Sequence, residues 1–444
     1  MSKWRSRAQG YGYELVDVQD MSIRASIIKE VLNQYFESGD FNGLPVYKIA
    51  KERGIDMAEL EPELMTLVED EQIEVWFGNV HPNPHIKAFS WVTKEQQIEF
   101  FASEGLSRHC CAYPSRALLA EDPRVASYLD RPYTLELAKG TGQLDHRAFD
   151  LSVLEFYRND PRYYYQTDDV NGSICIKDVF YQSEAVPKKD HVLLKTFGFA
   201  YDAELNRFAA SFLRYLSNLS GEHQQIWKAK EVQGEQRLHP DYYRNNVVGD
   251  WGVKTSIFEA FTEELAVINK MCVLIGRPEL FRHTFAENRP KEFGFLLRPT
   301  LSEFNAFVLL LDKMLSDNIN AGFFIDIDKE YDEERADGKI VVRQKGTIAM
   351  LEEWVRAKFR PQDPEPIDFL FQTLKKVRKL RQRPAHAVNE NMFDQKYFKE
   401  QRSLVIDSYS AVRLIRLILA SHPAVKRNPP DISEHVREGK IWDI

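Results

Sequence analysis

Residues 364–395 read PEPIDFLFQTLKKVRKLRQRPAHAVNENMFDQ, and this stretch decides how the C-terminal part of the chain is understood. At about 100° per residue on a helical wheel, Ile367, Leu370, Phe371, Leu374 and Val377 form one apolar stripe. Arg381 falls within about 20° of Leu374 on that stripe, and Arg378 about 40° from it. A guanidinium on a buried face costs several kcal/mol unless it is paired or opens on a wet cleft, so Arg381 is expected to point into a groove. Lys375, Lys376, Arg378, Lys379, Arg381 and Arg383 place six cations in nine residues, a local potential suited to phosphate. Pro384 ends the helix and His386 follows in the turn.

The flanks supply more helices. PTLSEFNAFVLLLDKMLSDNI (299–319) is apolar, with Thr300 or Ser302 placed to cap it and Glu303 in its first turn. GTIAMLEEWVRAKF (346–359) is amphipathic, and YFKEQRSLVIDSYSAVRLIRLILASHP (397–423) is long and apolar on one face. This order, with Arg381 and His386 as Arg-x4-His, resembles a HEPN domain over residues 299–422. The resemblance implies an antiparallel helical bundle acting as a metal-independent endoribonuclease, a nuclease of the toxin or phage-defence kind. Arg381 and His386 would then be catalytic, in a cleft shared by a homodimer. Gln382 departs from the Asn, Asp or His that many ribonuclease members place after the arginine.

The chemistry agrees with the residue types. Metal-free RNA cleavage needs a base for the 2′-hydroxyl, an acid for the 5′-oxygen and a cation for charge on the phosphorane, and one imidazole serves both proton roles poorly. Lys375, Lys376, Arg378, Lys379 and Arg383 are the expected RNA-binding residues. The competing account pairs Arg381 with Asp312 or Asp317 and leaves His386 to cap a turn, which makes the bundle a non-catalytic scaffold.

Towards the N-terminus the patterns change. Helical spacing over 23–38, 44–54 and 56–72, then IEVWFG (73–78) and IKAFSWV (86–92), predicts three helices and a two-stranded wing, with His81 and His85 in the wing tip. The third helix carries Asp56, Glu59, Glu61, Glu63, Glu69, Asp70 and Glu71 without a Lys or Arg. Phosphate repulsion there opposes duplex DNA, although a winged-helix transcription regulator stays open as an alternative. From 93 to about 200 alternation predicts strands in LSVLEFYRND, RYYYQTDDVNGSICIKDVFY and VLLKTFGFAYD, with Asn171-Gly172 as a hairpin turn. Tyr163, Tyr164 and Tyr165 suit sheet packing better than base stacking. Residues 205–282, including FAASFLRYLSNLS, read mostly as helices. The expected organisation is α+β and multidomain: a winged-helix-like domain (1–92), a mixed middle region (93–295) and a HEPN-like bundle (296–444).

At 444 residues, 43% hydrophobic and 28% charged, the chain has ample material for several packed cores. Its net charge of −8 confines any nucleic-acid contact to a local patch. Four cysteines without CxxC spacing exclude a zinc ribbon or disulfide framework, and the chain has no Walker motif or complete GxGxxG. Neither a metal nor a cofactor is expected; Glu222, His223, His239 and Asp241 have no ligand spacing, and Asp326 and Asp328 read as a solvated acidic loop. The first residues lack a signal peptide's apolar run and no stretch of ~18 apolar residues occurs, so a cytoplasmic protein without membrane contact is expected. Its partners would be RNA, a second copy and a regulatory or antitoxin protein.

Overall fold

The computed structural model describes residues 22–78, 81–90, 92–251, 254–334, 338–382 and 390–443. The chain is α+β and multidomain. It forms two compact units, one reaching Asp145 and including Phe212–Ser217, the other made of His146–Ser211 and Asn218 onward. The segments 1–92, 93–295 and 296–444 are distributed over these two units. Among the described residues no helix is long and apolar enough to cross a membrane.

The first unit runs α1 (Ile23–Glu37), β1 (Leu44–Pro45), α2 (Val46–Arg53), α3 (Met57–Glu69), β2 (Ile73–Trp76), α4 (Lys94–Glu104) and β3 (Cys111–Pro114), with shorter helices after it. α3 starts on a capping box in which the Asp56 carboxylate accepts from Glu59 N and the Glu59 carboxylate accepts from Asp56 N. The sheet order is β1-β3-β2, antiparallel throughout. Ile27, Val31, Ile49, Leu60, Leu64, Val75 and Phe101 fill the core beneath it. The strand returning beside β2 is therefore Cys111–Pro114; the described residues of 86–92 form no strand. Gln97 on α4 explains part of this, because its Oε1 takes the Val75 N–H at 2.8 Å and occupies bonding capacity a wing strand would use.

The second unit opens with a sheet of β4 (His146–Phe149), β5 (Tyr163–Thr167), β6 (Asn171–Ile176), β7 (Leu193–Tyr201), β8 (Arg207–Phe212, of which the last residue is assigned to the first unit) and β9 (Arg237–Leu238). The order is β4-β8-β7-β6-β5, with β9 also on β7. Tyr163 and Tyr165 are buried while Tyr164 is half exposed, the alternation of a one-sided sheet. Three local expectations are corrected. The β5–β6 turn is Asp168–Val170, one step before Asn171-Gly172, because Asp168 Oδ1 accepts from both Val170 N and Asn171 N while Asp169 takes φ +68°. Residues 151–158 are helical turns, started by the Asp150 carboxylate on Ser152 N. Residues 208–212 belong to β8, not to a helix: Phe199↔Ala209 and Gly198↔Ala210 register fixes them as a strand.

The rest of this unit is mainly helical. β10 (Thr255–Ser256) leads into α5 (Ile257–Leu274), followed by α6 (Leu301–Met314), β11 (Glu330–Glu334), β12 (Ile340–Gln344), α7 (Thr347–Lys358), α8 (Glu365–Gln382) and α9 (Lys396–Ala420). Short helices α10 (Pro423–Arg427) and α11 (Glu434–Glu438) follow, and β13 (Ile441–Trp442) pairs parallel with β10. Thr300 caps α6, its hydroxyl accepting from Glu303 N at 3.2 Å. The acidic stretch after α6 is more ordered than a loop: β11 and β12 form an antiparallel ribbon. One core joins Phe258, Leu265, Phe307, Leu311, Leu370, Leu374, Val412 and Ile415, so α5 shares it with the helices that follow. Within it Arg416 Nε donates to Glu264 Oε2 at 2.5 Å, a buried ion pair between α9 and α5.

Candidate functional site

Arg381 lies in the last turn of α8, where the apolar stripe of Leu370, Leu374 and Val377 carries its side chain against the end of α6. Asp312, on α6, is fully buried. Asp317 follows in the turn after α6, which is held in place because Asn318 Nδ2 donates to Met314 O and His283 O, and Thr347 Oγ1 donates to Ser316 O. The two carboxylates thus converge on α8 from one fixed backbone.

Arg381 Nη1 donates to Asp312 Oδ2 and Asp317 Oδ2, each at 2.6 Å. Arg378 Nη2 donates to Asp317 Oδ1 at 2.9 Å, and its Nε lies 3.4 Å from Asp312 Oδ1. Two guanidinium groups and two carboxylates form a neutral four-membered network. The Asp312 hydrogen bond, reinforced by the charge of Asp317, holds the Arg381 guanidinium above the ordinary arginine value. Its side chain keeps 30% of its surface exposed. Among the described residues Nε and Nη2 of Arg381 have no hydrogen-bond partner, so one edge of the fork is anchored and the other is open to solvent.

The remaining cations of the run are largely engaged. Lys375 donates to Glu352 Oε2 on α7 at 2.7 Å, and Lys376 to Asp407 Oδ2 on α9 at 2.9 Å. Both pairs are exposed, so either lysine can exchange its partner at little cost. Lys379 is exposed and has no ion pair among the described residues. Arg383 and His386 lie outside the described residues. The local positive potential read from the sequence is therefore offset by Asp312, Asp317, Glu352 and Asp407, of which Glu352 and Asp407 were not legible as partners. Their helical spacing marks them as surface carboxylates and says nothing of which helix they face.

Other polar groups have structural roles. Asp326 pairs with Arg277 at 2.7 Å and Lys358 at 2.8 Å, the Arg277 hydrogen bond holding its carboxyl well below the usual carboxylate range. His223 Nδ1 meets Tyr157 Oη at 2.8 Å, while His239 caps the helix at Pro240, its Nδ1 accepting from Asp241 N. His85 Nδ1 lies 3.6 Å from Cys111 Sγ, and burial pushes that thiol up to about 12. Among the described residues no group of three His, Cys, Asp or Glu side chains is arranged to hold a metal. No family model matches the chain, and no curated protein or solved structure is similar to it.

Proposed function

We propose that residues 296–444 are a HEPN-like bundle and that the protein is a metal-independent endoribonuclease acting through Arg381 and His386 in a homodimer. The observation that carries this is the state of Arg381: anchored to two carboxylates through one nitrogen, with Nε and Nη2 free at a partly exposed position. A guanidinium so held is aimed before a phosphate arrives, and its free edge matches two phosphoryl oxygens. His386 takes the 2′-hydroxyl proton, the Arg381 fork bears the charge growing on the phosphorane, and the second copy's imidazole protonates the departing 5′-oxygen. Lys379 and Arg383, with Lys375 and Lys376 once they leave their exposed carboxylates, hold flanking phosphates. A regulated toxin or anti-phage effector in the cytoplasm, with a regulatory or antitoxin protein as partner, is the setting this reading carries with it.

The N-terminal unit fits a winged-helix-like module in this scheme: its helices and strands run α-β-α-α-β, and the sheet order is β1-β3-β2. Its acidic α3 favours a sensing or protein-binding role over duplex DNA.

The test is incubation of the full-length protein with mixed cellular RNA in EDTA. Cleavage with 2′,3′-cyclic phosphate ends is expected, and both H386A and R381A should lose it while remaining folded dimers. Intact RNA under all conditions, or undiminished cleavage by H386A, overturns the proposal. A non-catalytic scaffold is the second reading, and the neutral network of Arg378, Arg381, Asp312 and Asp317 favours it, since ion pairing alone accounts for an arginine on that stripe.

A further inference from the structure

Three separate stretches of the first unit meet around an open cleft: the turn at 81–85, the turn at 107–110 and the start of α2. Hydrogen bonds hold the three together. Val46 N, at the first residue of α2, donates to Cys110 O at 3.0 Å, and Gly43 N donates to His85 O at 3.4 Å. The Tyr113 hydroxyl, buried on β3, donates to Pro84 O at 2.9 Å. Each turn is also closed on itself, His85 N donating to Asn83 Oδ1 and Cys110 N to Ser107 O, both at 3.1 Å. Backbone therefore shapes the cleft, and its volume of about 480 Å³ lies within the ~300–1,000 Å³ usual for small-molecule sites.

The lining sorts into donors and apolar walls. Arg108, His85 and His109 are exposed and border the cleft, and among the described residues no Asp or Glu does. Arg108 has no ion pair among the described residues, so its fork is available to a ligand. The proton of His85 is placed by a neighbour. Burial holds the Cys111 thiol up at about 12, so its S–H persists and donates to His85 Nδ1 across 3.6 Å; the ring's own proton then sits on Nε2 and makes that nitrogen a donor. Lys48, exposed in the first turn of α2, adds a positive charge that reaches the same thiol. The rest of the lining is mainly apolar, with Tyr47, 42% exposed, and Pro82 and Pro84.

We infer that this cleft is a binding site for a phosphate ester of mononucleotide size, its phosphate held by Arg108, His85 and His109 and its base laid on the Tyr47 ring. An arginine fork and two imidazoles supply the N–H donors that phosphate oxygens take. In a chain of net charge −8, a cleft lined by these side chains and by no carboxylate is locally positive. A lone phosphate leaves most of the volume empty, whereas a nucleoside monophosphate occupies it and covers the tyrosine. The site belongs to the first unit and binding there stands independently of any ribonuclease activity; a role for the nucleotide as the signal received by a sensing module rests on the function proposed above.

The experiment is isothermal titration calorimetry of the full-length protein with the four ribonucleoside 5′-monophosphates, their nucleosides and inorganic phosphate at physiological ionic strength. At least one nucleotide should bind saturably at one site per chain, its nucleoside and inorganic phosphate at least about tenfold more weakly. Arg108→Met, at an exposed position that leaves the fold intact, should weaken that nucleotide about tenfold or more, the loss of a charged hydrogen-bonding partner. Tyr47→Ala should weaken it about fivefold or more while leaving phosphate binding unchanged, and Tyr47→Phe should restore it. No saturable nucleotide binding, a nucleoside bound as tightly as its nucleotide, or parental affinity in Arg108→Met overturns the inference, the last because it puts the nucleotide on another surface such as α8. An equal loss of nucleotide and phosphate binding in Tyr47→Ala also overturns it, since the ring then shapes the cleft without meeting a base.

Discussion

Asp312 and Asp317 touch the same two arginines and differ in what they leave behind when removed. Asp312 has no exposed surface, so Asp312→Asn strands two guanidiniums on a single exposed carboxylate and should cost roughly 3 kcal/mol, the low end for breaking a buried pair. Asp317→Asn should cost under about 1 kcal/mol, because Asp317 is partly exposed and water replaces it. Urea midpoints of the two variants check the ordering, and equal losses contradict it. His239 sets a pH dependence. Burial, with the Arg207 charge second, lowers its imidazole to about 4, and its Nδ1 must stay unprotonated to accept from Asp241 N. The unfolded imidazole titrates near 6.5, so between pH 6.5 and about 4 the unfolded chain binds the extra proton and stability falls as the pH falls, by up to about 3 kcal/mol. His239→Asn keeps a capping oxygen and removes the titration; the gap between the two stability profiles should change across that window and be flat above pH 7. At this scale the sequence disclosed Arg381 and its alternatives Asp312 and Asp317, because a cation on an apolar stripe is visible on a helical wheel. Arg207, whose guanidinium lies against the rings of Phe199, Tyr201 and Phe295, was hidden, since no periodicity says which rings will close over a guanidinium.

Helices with a sustained 3.6-residue stripe, α1, α6, α8 and α9, were legible because about four or more turns repeat the same signal. Short elements were not. Phe208–Phe212 runs into a helical turn at Leu213 with no glycine or proline between, so a strand and a helix merge into one apolar run. The β5–β6 turn was displaced by one step because Asn171-Gly172 is a strong turn dipeptide, yet the Asp168 carboxylate closes the turn earlier and leaves Gly172 to accommodate the Phe197 ring. The wing's returning strand lies beyond residues 86–92 because a helix, α4, is inserted before it, which only tertiary pairing reveals. Close packing at glycine yields a prediction for the sheet: a methyl group at Gly198 would overlap the Tyr242 ring. Gly198→Ala should cost about 1–3 kcal/mol through overpacking of β7. Pairing it with Tyr242→Leu, which removes the opposing ring, should make the two losses less than additive in a double-mutant cycle; strict additivity would show that the ring is not the obstacle.

The two units are not successive lengths of chain. Phe212–Ser217 belongs to the first unit, where Leu213 and Leu216 are fully buried, Leu213 N donates to Asp145 O and Arg214 N to Gln143 O. Leu216→Ala should cost about 2–5 kcal/mol, and the lost amide protection should fall mainly on residues 22–145. Hydrogen exchange resolved along the chain measures this; a loss confined to the second unit would contradict the assignment. No composition shift announces such a return, since six residues are too few to alter any average, which is why division of the sequence into three consecutive segments does not reproduce the two units. The same return affects synthesis. At about 5–20 residues per second, a ribosome ordinarily releases domains in order and the earliest folds first. Here the earliest part must wait, incomplete, while the strands from His146 to Ser211 emerge, and it becomes whole only when Ser217 has left the exit tunnel.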